Sequence, residues 1–378
     1  MLKEIWGAMR RYFRRLDKGL LLFCLLAMGF GCLILYSEAR AEFITMRRFK
    51  MQALYGGAGI LALLVLSAIS YKFMAKVWFL HLPATLGLVV LTFVGPASIV
   101  YQPDGSDDAA WLRFGSLISI QPSEFLKFSF ILTFALHLSK VREDVNKPLN
   151  VLLLCLHGAA PCLLIFKQGD MGTALVFFFI FLCMVFVSGI SYKYIFLGMG
   201  VVAAAVPVLW YSGLIPDYLK NRFVVLQDLE NATLKEAYQQ LTGRRILGSG
   251  RLFGKGLFSD DLVHVFAIEN DLVLTHVGQT LGFMGCALVI LLLTAICVRI
   301  LLIARASKDA LGCYICTGVF AMLLFQIMIN IGMVLCVLPV IGITLPFFSQ
   351  GGTSLVTTCL SIGLCMSVSS YSRAARQS

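Results

Sequence analysis

Gln121-Pro-Ser-Glu-Phe-Leu-Lys127 runs straight into Phe128-Ser-Phe-Ile-Leu-Thr-Phe-Ala-Leu-His-Leu138. Two full charges, Glu124 and Lys127, thus sit on an apolar run, with Arg113 (in Trp111-Leu-Arg-Phe-Gly115) and Gln121 at its mouth. A charge at the centre of a membrane helix costs roughly 2.5–3.5 kcal/mol on insertion scales, so such residues face a partner or a wet cavity. Glu124 and Lys127 are three apart and share a helical face, where they can pair. The pair is either a structural ion pair that tolerates burial or one that also orients a catalytic group. Either way the stretch predicts a membrane helix with a polar site at its outer rim.

The rest of the chain agrees. Of 378 residues, 59% are hydrophobic and 13% charged, which is too apolar for a soluble domain and reads as an all-α, polytopic membrane protein. The net charge of +11 does not imply nucleic acid, because no soluble basic face exists and the basic residues crowd one side of the spans. Most of the 12 cysteines lie inside apolar runs, where they act as small hydrophobes. Cys313-Tyr-Ile-Cys316 has a metal or redox spacing but stands alone in a predicted helix, so its reading is structural.

A span needs about 20 residues. Apolar runs near that length fall at Leu20–Tyr36, Leu54–Tyr71, Trp78–Val100, Phe125–Leu138, Leu149–Phe166, Thr173–Gly189, Tyr194–Tyr211, Leu272–Leu302, Ala310–Leu338 and Ser354–Ser370. The first is a retained helix rather than a cleaved leader, and residues 1–19 form a basic cytoplasmic segment. Lys72, Lys76, Lys140, Arg142, Lys193, Arg299, Arg305, Lys308, Arg373 and Arg376 alternate onto its side, so both termini are expected in the cytoplasm. Asp104, Asp107 and Asp108 fall outside. One loop disagrees: Arg40, Arg47, Arg48 and Lys50 lie on the predicted outer side. The longest hydrophilic stretch, residues 214–270, is also outside. Its Gly248-Ser-Gly250 and Gly254-Lys-Gly256 predict tight turns and close backbone approach. The chain reads as one transmembrane domain over 1–378. It has no internal repeat, which weakens a transporter reading.

Four outer segments could carry chemistry. Arg113 to Lys127 is the first. In Gln168-Gly-Asp-Met-Gly-Thr173, Asp170 is either a helix cap or a site residue. Glu269-Asn-Asp271 ends the long loop beside an apolar run, where half-shielding raises a carboxyl pKa towards that of a general base; capping is the alternative. His276, on the helix that follows, reads as packed rather than as a ligand. Leu338-Pro-Val-Ile-Gly-Ile-Thr-Leu-Pro-Phe-Phe-Ser-Gln-Gly-Gly-Thr-Ser354 breaks helical bonding at membrane depth, which is tolerated where backbone is buried in protein or lines a cavity. No Walker loop, dinucleotide fingerprint, HExxH or GxSxG is present.

Together these segments resemble the SEDS family of shape, elongation, division and sporulation proteins, especially its RodA branch. The motifs that carry the likeness are Gln121-Pro-Ser-Glu124 with Lys127, Gln168 to Leu175, Gly248-Ser-Gly250, Gly254-Lys-Gly256, Asn330-Ile-Gly-Met333, Leu338-Pro-Val340, Leu345-Pro-Phe347, Gly351-Gly352 and Ser354. The resemblance implies ten transmembrane helices in a bacterial cytoplasmic membrane, with a large outer loop before the eighth. It implies polymerisation of lipid II into glycan strands with release of undecaprenyl pyrophosphate, beside a class B penicillin-binding protein. Asp271 matches the family's catalytic aspartate. Gln121, Glu124, Asp170, Ser349, Gly351, Gly352 and Ser354 would support the substrate, with Arg113, Lys127, Arg244, Arg245 and Lys255 as cations for the pyrophosphate. A divalent cation, Mg or Mn, would share that task, with Asp170 or Glu269 as ligands, although no closed ligand set is visible. The family's usual His-Thr before the aspartate is Glu269-Asn270 here, its acidic pair further on is Gln279-Thr280, Gly250-Arg251 replaces a Gly-Gly, and Gly169 replaces a proline. The loop glutamine expected before Gly248 is out of register: Thr242 stands there, with Gln240 two residues away. Two other readings use the same features: a flippase for the same lipid, and a scaffold that only binds the penicillin-binding protein.

Overall fold

A bilayer leaves no water for backbone groups, so each apolar run must satisfy its own N–H and C=O groups as a helix. The computed structural model of the chain describes residues 12–102, 110–115, 118–213, 220, 222, 235–265 and 268–377. Its helices are α1 (Lys18–Arg40), α2 (Met46–Ala68), α3 (Tyr71–Lys76), α4 (Trp78–Val94), α5 (Pro122–Lys140), α6 (Pro148–Lys167), α7 (Met171–Val187), α8 (Tyr192–Tyr211), α9 (Lys235–Ser249), α10 (Val273–Ala306), α11 (Ala310–Val334) and α12 (Gly352–Gln377). Each apolar run named above coincides with one of them. Among the described residues six (α1, α2, α6, α10, α11, α12) are long and apolar enough to cross a membrane, and α4, α7 and the Tyr192–Val208 part of α8 are shorter apolar stretches. The acidic loop Asp104–Asp108, the basic residues before Tyr12 and most of 214–234 lie outside the described residues.

Local chemistry sets the boundaries. Asp17, Thr45, Asp170 and Asp309 cap α1, α2, α7 and α11 by accepting backbone N–H bonds. Pro122 and Pro148 open α5 and α6, where a missing N–H costs nothing. Three expectations need correction. The run expected to reach Val100 stops as a helix at Val94, before Gly95-Pro96, and that expected to reach Leu338 stops at Val334. The chain is mostly rather than purely helical, because β1 (Val100–Tyr101), β2 (Trp111–Phe114) and β3 (Ile118–Ile120) form a small antiparallel sheet in that order. Buried Leu112 anchors it, and β3 hands the chain to α5 through Gln121.

Helix α12 is the best enclosed of the six and runs along α2. Small residues allow the approach: a Cβ on Gly59 would stand 3.0 Å from Cys359 Sγ, and one on Gly363 would stand 2.9 Å from the Leu63 carbonyl oxygen. Both ends of the described chain meet at one end of the bundle, where Arg373 bonds to Leu16 and Asp17. The sheet, Glu269–Asp271 and the segment after α11 gather at the other.

At that second end α10 is broken at Gly282 (φ 66°, ψ −160°). The break frees backbone groups at membrane depth, and the glycine-rich segment after α9 takes them up. Lys255 and Gly256 donate to the carbonyls of Gln279 and Thr280 (both 2.9 Å), while Phe283 and Met284 donate to Arg251 (2.8 Å) and Leu252 (3.1 Å). Gly254 (φ +80°) and Gly250 lie directly against the α10 backbone, as their sequence pattern predicts. A Cβ at Gly250 would overlap the Gly278 carbonyl, whereas one at Gly248 meets nothing within 4 Å. Gly250→Ala is therefore expected to destabilise by about 1–3 kcal/mol through overpacking. Gly248→Ala should leave the melting midpoint in detergent unchanged or slightly raised, since alanine favours a helix. Equal midpoints for the two variants would refute this interlock.

Candidate functional site

Three consecutive carbonyls fix the stretch before α10. Gln350 N–H donates to Glu269 O (2.7 Å), Ser349 Oγ donates to Asn270 O, and Asn330 Nδ2 donates to Asp271 O (2.8 Å). Asn330 also donates to Ile343 O (2.8 Å), so one amide ties α11 to both sides of the site. The proline-broken segment 338–351 is held in turn by Gln52 of α2, which donates to Ser349 O (3.1 Å) and accepts from Gly351 N–H (3.2 Å). Gln240, the displaced loop glutamine, donates to Met333 O and Leu338 O, which is a structural clamp.

With its main chain strapped, Asp271 is free at its side chain. It is half-buried and does not cap α10, whose first residues follow an uncapped Leu272. Among the described residues no hydrogen bond reaches its carboxylate. Oδ2 lies 3.7 Å from where a Cβ on Gly342 would stand, so only backbone crowds it there. Burial pushes its pKa up to about 6, Arg222 pulls it down, and the charge of Glu269 raises it further. Glu269 is itself paired with Arg48 (2.9 Å). Nearby, His276 bonds Ser37 Oγ through Nε2 (3.0 Å), which makes it a packed, hydrogen-bonded residue.

A second polar cluster builds around Asp170. Its Oδ1 accepts from Thr173 N–H (2.9 Å) and its Oδ2 from Gln121 Nε2 (2.9 Å), so it is both a cap and part of a network. Glu124 accepts from Lys127 (2.7 Å) on one oxygen and from Thr357 (3.0 Å) on the other. Lys127 is only 1% exposed, and both groups of this buried pair are satisfied. The clusters share the segment after α11. Thr344 bonds Ser354, the Gln121 main chain bonds Thr353, and Ile341 and Ile343 press on Gly172 beside Asp170. Gly352 lies against the Tyr55 ring with no room for a side chain.

Two expected cations are placed elsewhere. Arg113 is exposed on β2 with its guanidinium 3.4 Å above the Tyr101 ring. Lys255 is exposed and donates to Asp261 O (3.3 Å), because its main chain is committed to α10. Conversely, Arg48, Arg222 and Gln52 were not singled out as site residues from sequence. Arg48 had a signal: it belongs to the one loop that breaks the charge pattern. A metal fits poorly. Among the described residues no three His, Cys, Asp or Glu side chains converge, both Asp170 oxygens are engaged, and Glu269 is held by Arg48.

The chain was compared with known proteins. It is 30% identical over 370 residues to stage V sporulation protein E of Bacillus subtilis, covering 94% of this chain and 98% of that one. It is 27% identical over 362 residues to peptidoglycan glycosyltransferase MrdB of Escherichia coli, covering 94% of each. Among solved structures, a chain of a peptidoglycan synthase complex superposes with TM-score 0.79 at 24% identity, over 96% of this chain and 99% of that one. The rod shape determining protein RodA of Thermus thermophilus gives 0.69 at 24% identity, over 94% and 96%. These two likenesses establish the fold. The FtsW/RodA/SpoVE model, described as a cell cycle protein, matches residues 18–374, and over that length the chain belongs to this family.

Proposed function

We propose that this protein is a peptidoglycan glycosyltransferase that polymerises lipid II at the outer face of a bacterial cytoplasmic membrane, working beside a class B penicillin-binding protein. In this reading the bundle has ten spans, both termini are cytoplasmic, and residues 214–270 form the outer loop before the eighth span. The observation that carries it is Asp271: a side chain that accepts no hydrogen bond from the described residues, on a strapped main chain, with a pKa raised to about 6. A base with a pKa near the working pH combines ionisation with proton affinity. The names of curated relatives such as MrdB support the choice of reaction.

Asp271 takes the proton of the acceptor sugar hydroxyl as that oxygen attacks the anomeric carbon of the donor. The bond from that carbon to the pyrophosphate oxygen breaks, the pyrophosphate leaves with the electron pair, and the anomeric configuration inverts. Such transition states are oxocarbenium-like. Arg48 and Arg222, both acting at the Glu269–Asp271 stretch, are the best-placed cations for the leaving charge. Lys127 is not one of them: its ammonium is committed to Glu124 and is 1% exposed, whereas the paired Arg48 side chain is 55% exposed and keeps further N–H donors. Gln121, Asp170, Ser349, Gly351, Gly352 and Ser354 shape the walls between which the sugars sit. The donor is already activated, so no nucleotide site is needed.

Asp271→Asn should lower polymer yield from lipid II by about 100-fold or more in a gel assay with the penicillin-binding protein present. The same variant should melt at or above the wild-type midpoint at neutral pH. A carboxyl whose pKa is raised on folding loses stability as pH climbs from its unfolded value through about 6, and the amide escapes that loss. Full polymer yield in the variant would remove Asp271 from the reaction.

With lipid II saturating, the rate should rise with pH through about 6 and level off above it. A rate that falls over that range would oppose a base of this kind.

Lys127→Met should destabilise by about 3–5 kcal/mol, since it strands a buried carboxylate. Glu124→Gln with Lys127→Met should regain most of that loss in thermal midpoint. An unaltered midpoint for the single variant would show that the pair is not structural.

A further inference from the structure

At the end of the bundle opposite Asp271, two arginines converge on one acid. Asp17 accepts from Leu20 N–H (3.0 Å), from Arg299 Nη2 on both oxygens (2.7 Å each) and from Arg373 Nη2 (2.7 Å). A carboxylate offers about four acceptor positions, so this one is full. The two guanidinium groups carry ten N–H donors, far more than it can accept. Arg373 Nη1 donates to Leu16 O (3.2 Å), while Arg299 Nε has no hydrogen-bond partner among the described residues. The acid is also the hidden member: its side chain is 1% exposed, against 34% for Arg299 and 40% for Arg373. Burial alone would raise the pKa of Asp17, yet the arginines and the cap bond hold it below the usual carboxylate range. The triad is therefore ionised, carries one net positive charge and presents its positive side outward.

Beside it lies a cavity of about 200 Å³. Arg299, Arg373, Ser369, Ser372 and the Asp17 carboxylate form its polar wall, the acid covered by the two arginines, and Leu302, Ile303 and Ala306 form its apolar one. Leu302 is 47% exposed, on the side of α10 that faces lipid. Arg299 lies seven residues before the end of α10, roughly 10 Å of helix, and Arg373 lies within the last turn or so of α12. The cavity thus opens at headgroup depth between two membrane helices. Asp309, at the start of α11, is taken by Lys72 (2.7 Å) and Tyr71 (2.7 Å).

We propose that this cavity binds the phosphate of an anionic phospholipid, with the arginines and Ser372 on the phosphodiester and the acyl chains along Leu302. Basic pockets between membrane helices recognise lipid headgroups in this way. The site does not depend on the transferase reading, so either can fail alone.

The test is lipid retention by the purified full chain, measured by native mass spectrometry and by thermal midpoint in nanodiscs. Wild type should hold one phosphatidylglycerol about tenfold more tightly than phosphatidylcholine, or about 1.4 kcal/mol. Arg299→Gln with Arg373→Gln should lose the preference. Asp17→Asn, which removes the internal anion and leaves both cations, should keep or strengthen it, and this variant separates anion binding from a purely structural triad. Equal retention of the two lipids by wild type would overturn the proposal. So would an unchanged preference in the folded double arginine variant, or loss of preference in folded Asp17→Asn. If millimolar inorganic phosphate in phosphatidylcholine nanodiscs matches the stabilisation by phosphatidylglycerol, the ligand is a soluble anion and the lipid assignment falls.

Discussion

The stretch Glu269–Asp271 is held by its carbonyls, and the site depends on that. Three successive C=O groups accept from Gln350, Ser349 and Asn330, on two different parts of the chain. Spending the backbone in this way leaves the Asp271 side chain unencumbered. A carboxylate tied into a capping bond would have its charged form stabilised and its pKa lowered. Asp170 differs in its contacts: it caps α7 and holds Gln121, so both its oxygens are occupied, although burial still raises its pKa. Two aspartates at the same end of the bundle therefore differ in availability because one binds through its side chain and the other is bound through its main chain.

The segment after α11 is the common partner of both. It is too interrupted by proline and glycine to be helical, and its backbone groups would be costly at membrane depth unless bonded. Gln52, Ser349 and Asn330 bond them with side chains from α2, from the segment itself and from α11. The buried Glu124–Lys127 pair sits behind this layer and reaches α12 through Thr357. Removing one member of such a pair leaves an uncompensated charge, so α5, α12 and the segment are coupled more strongly than apolar contact alone would make them.

Much of this was legible in the sequence. Apolar length gave the helices, because hydrophobic runs in a bilayer have few structural choices. Gly250 and Gly254 announced a close approach, and Asn330, Ser349 and Gly351 lay in motifs that proved to strap or line the site. What escaped was direction. Arg113 sits in the right loop, but β2 turns it onto Tyr101, and a two-to-four-residue strand gives too short a pattern to fix which way a side chain points. Lys255 escaped because its main chain was recruited to repair the break in α10. The helix Lys235–Ser249 and the small sheet have weak periodicity and are set by tertiary contact.

Arg48 shows how an exception to a global rule can mark a local need. Basic residues on the outer side are uncommon, yet α2 begins with Met46-Arg-Arg-Phe-Lys50 at the same end of the bundle as Glu269. That end carries two acids, buried Glu269 and half-buried Asp271, whose mutual repulsion raises the pKa of Asp271. Without Arg48 the Glu269 carboxylate would stand unpaired beside it. The 2.9 Å ion pair compensates that charge next to Asp271. The violation of the charge pattern is thus the counterweight to the Glu269 charge beside Asp271.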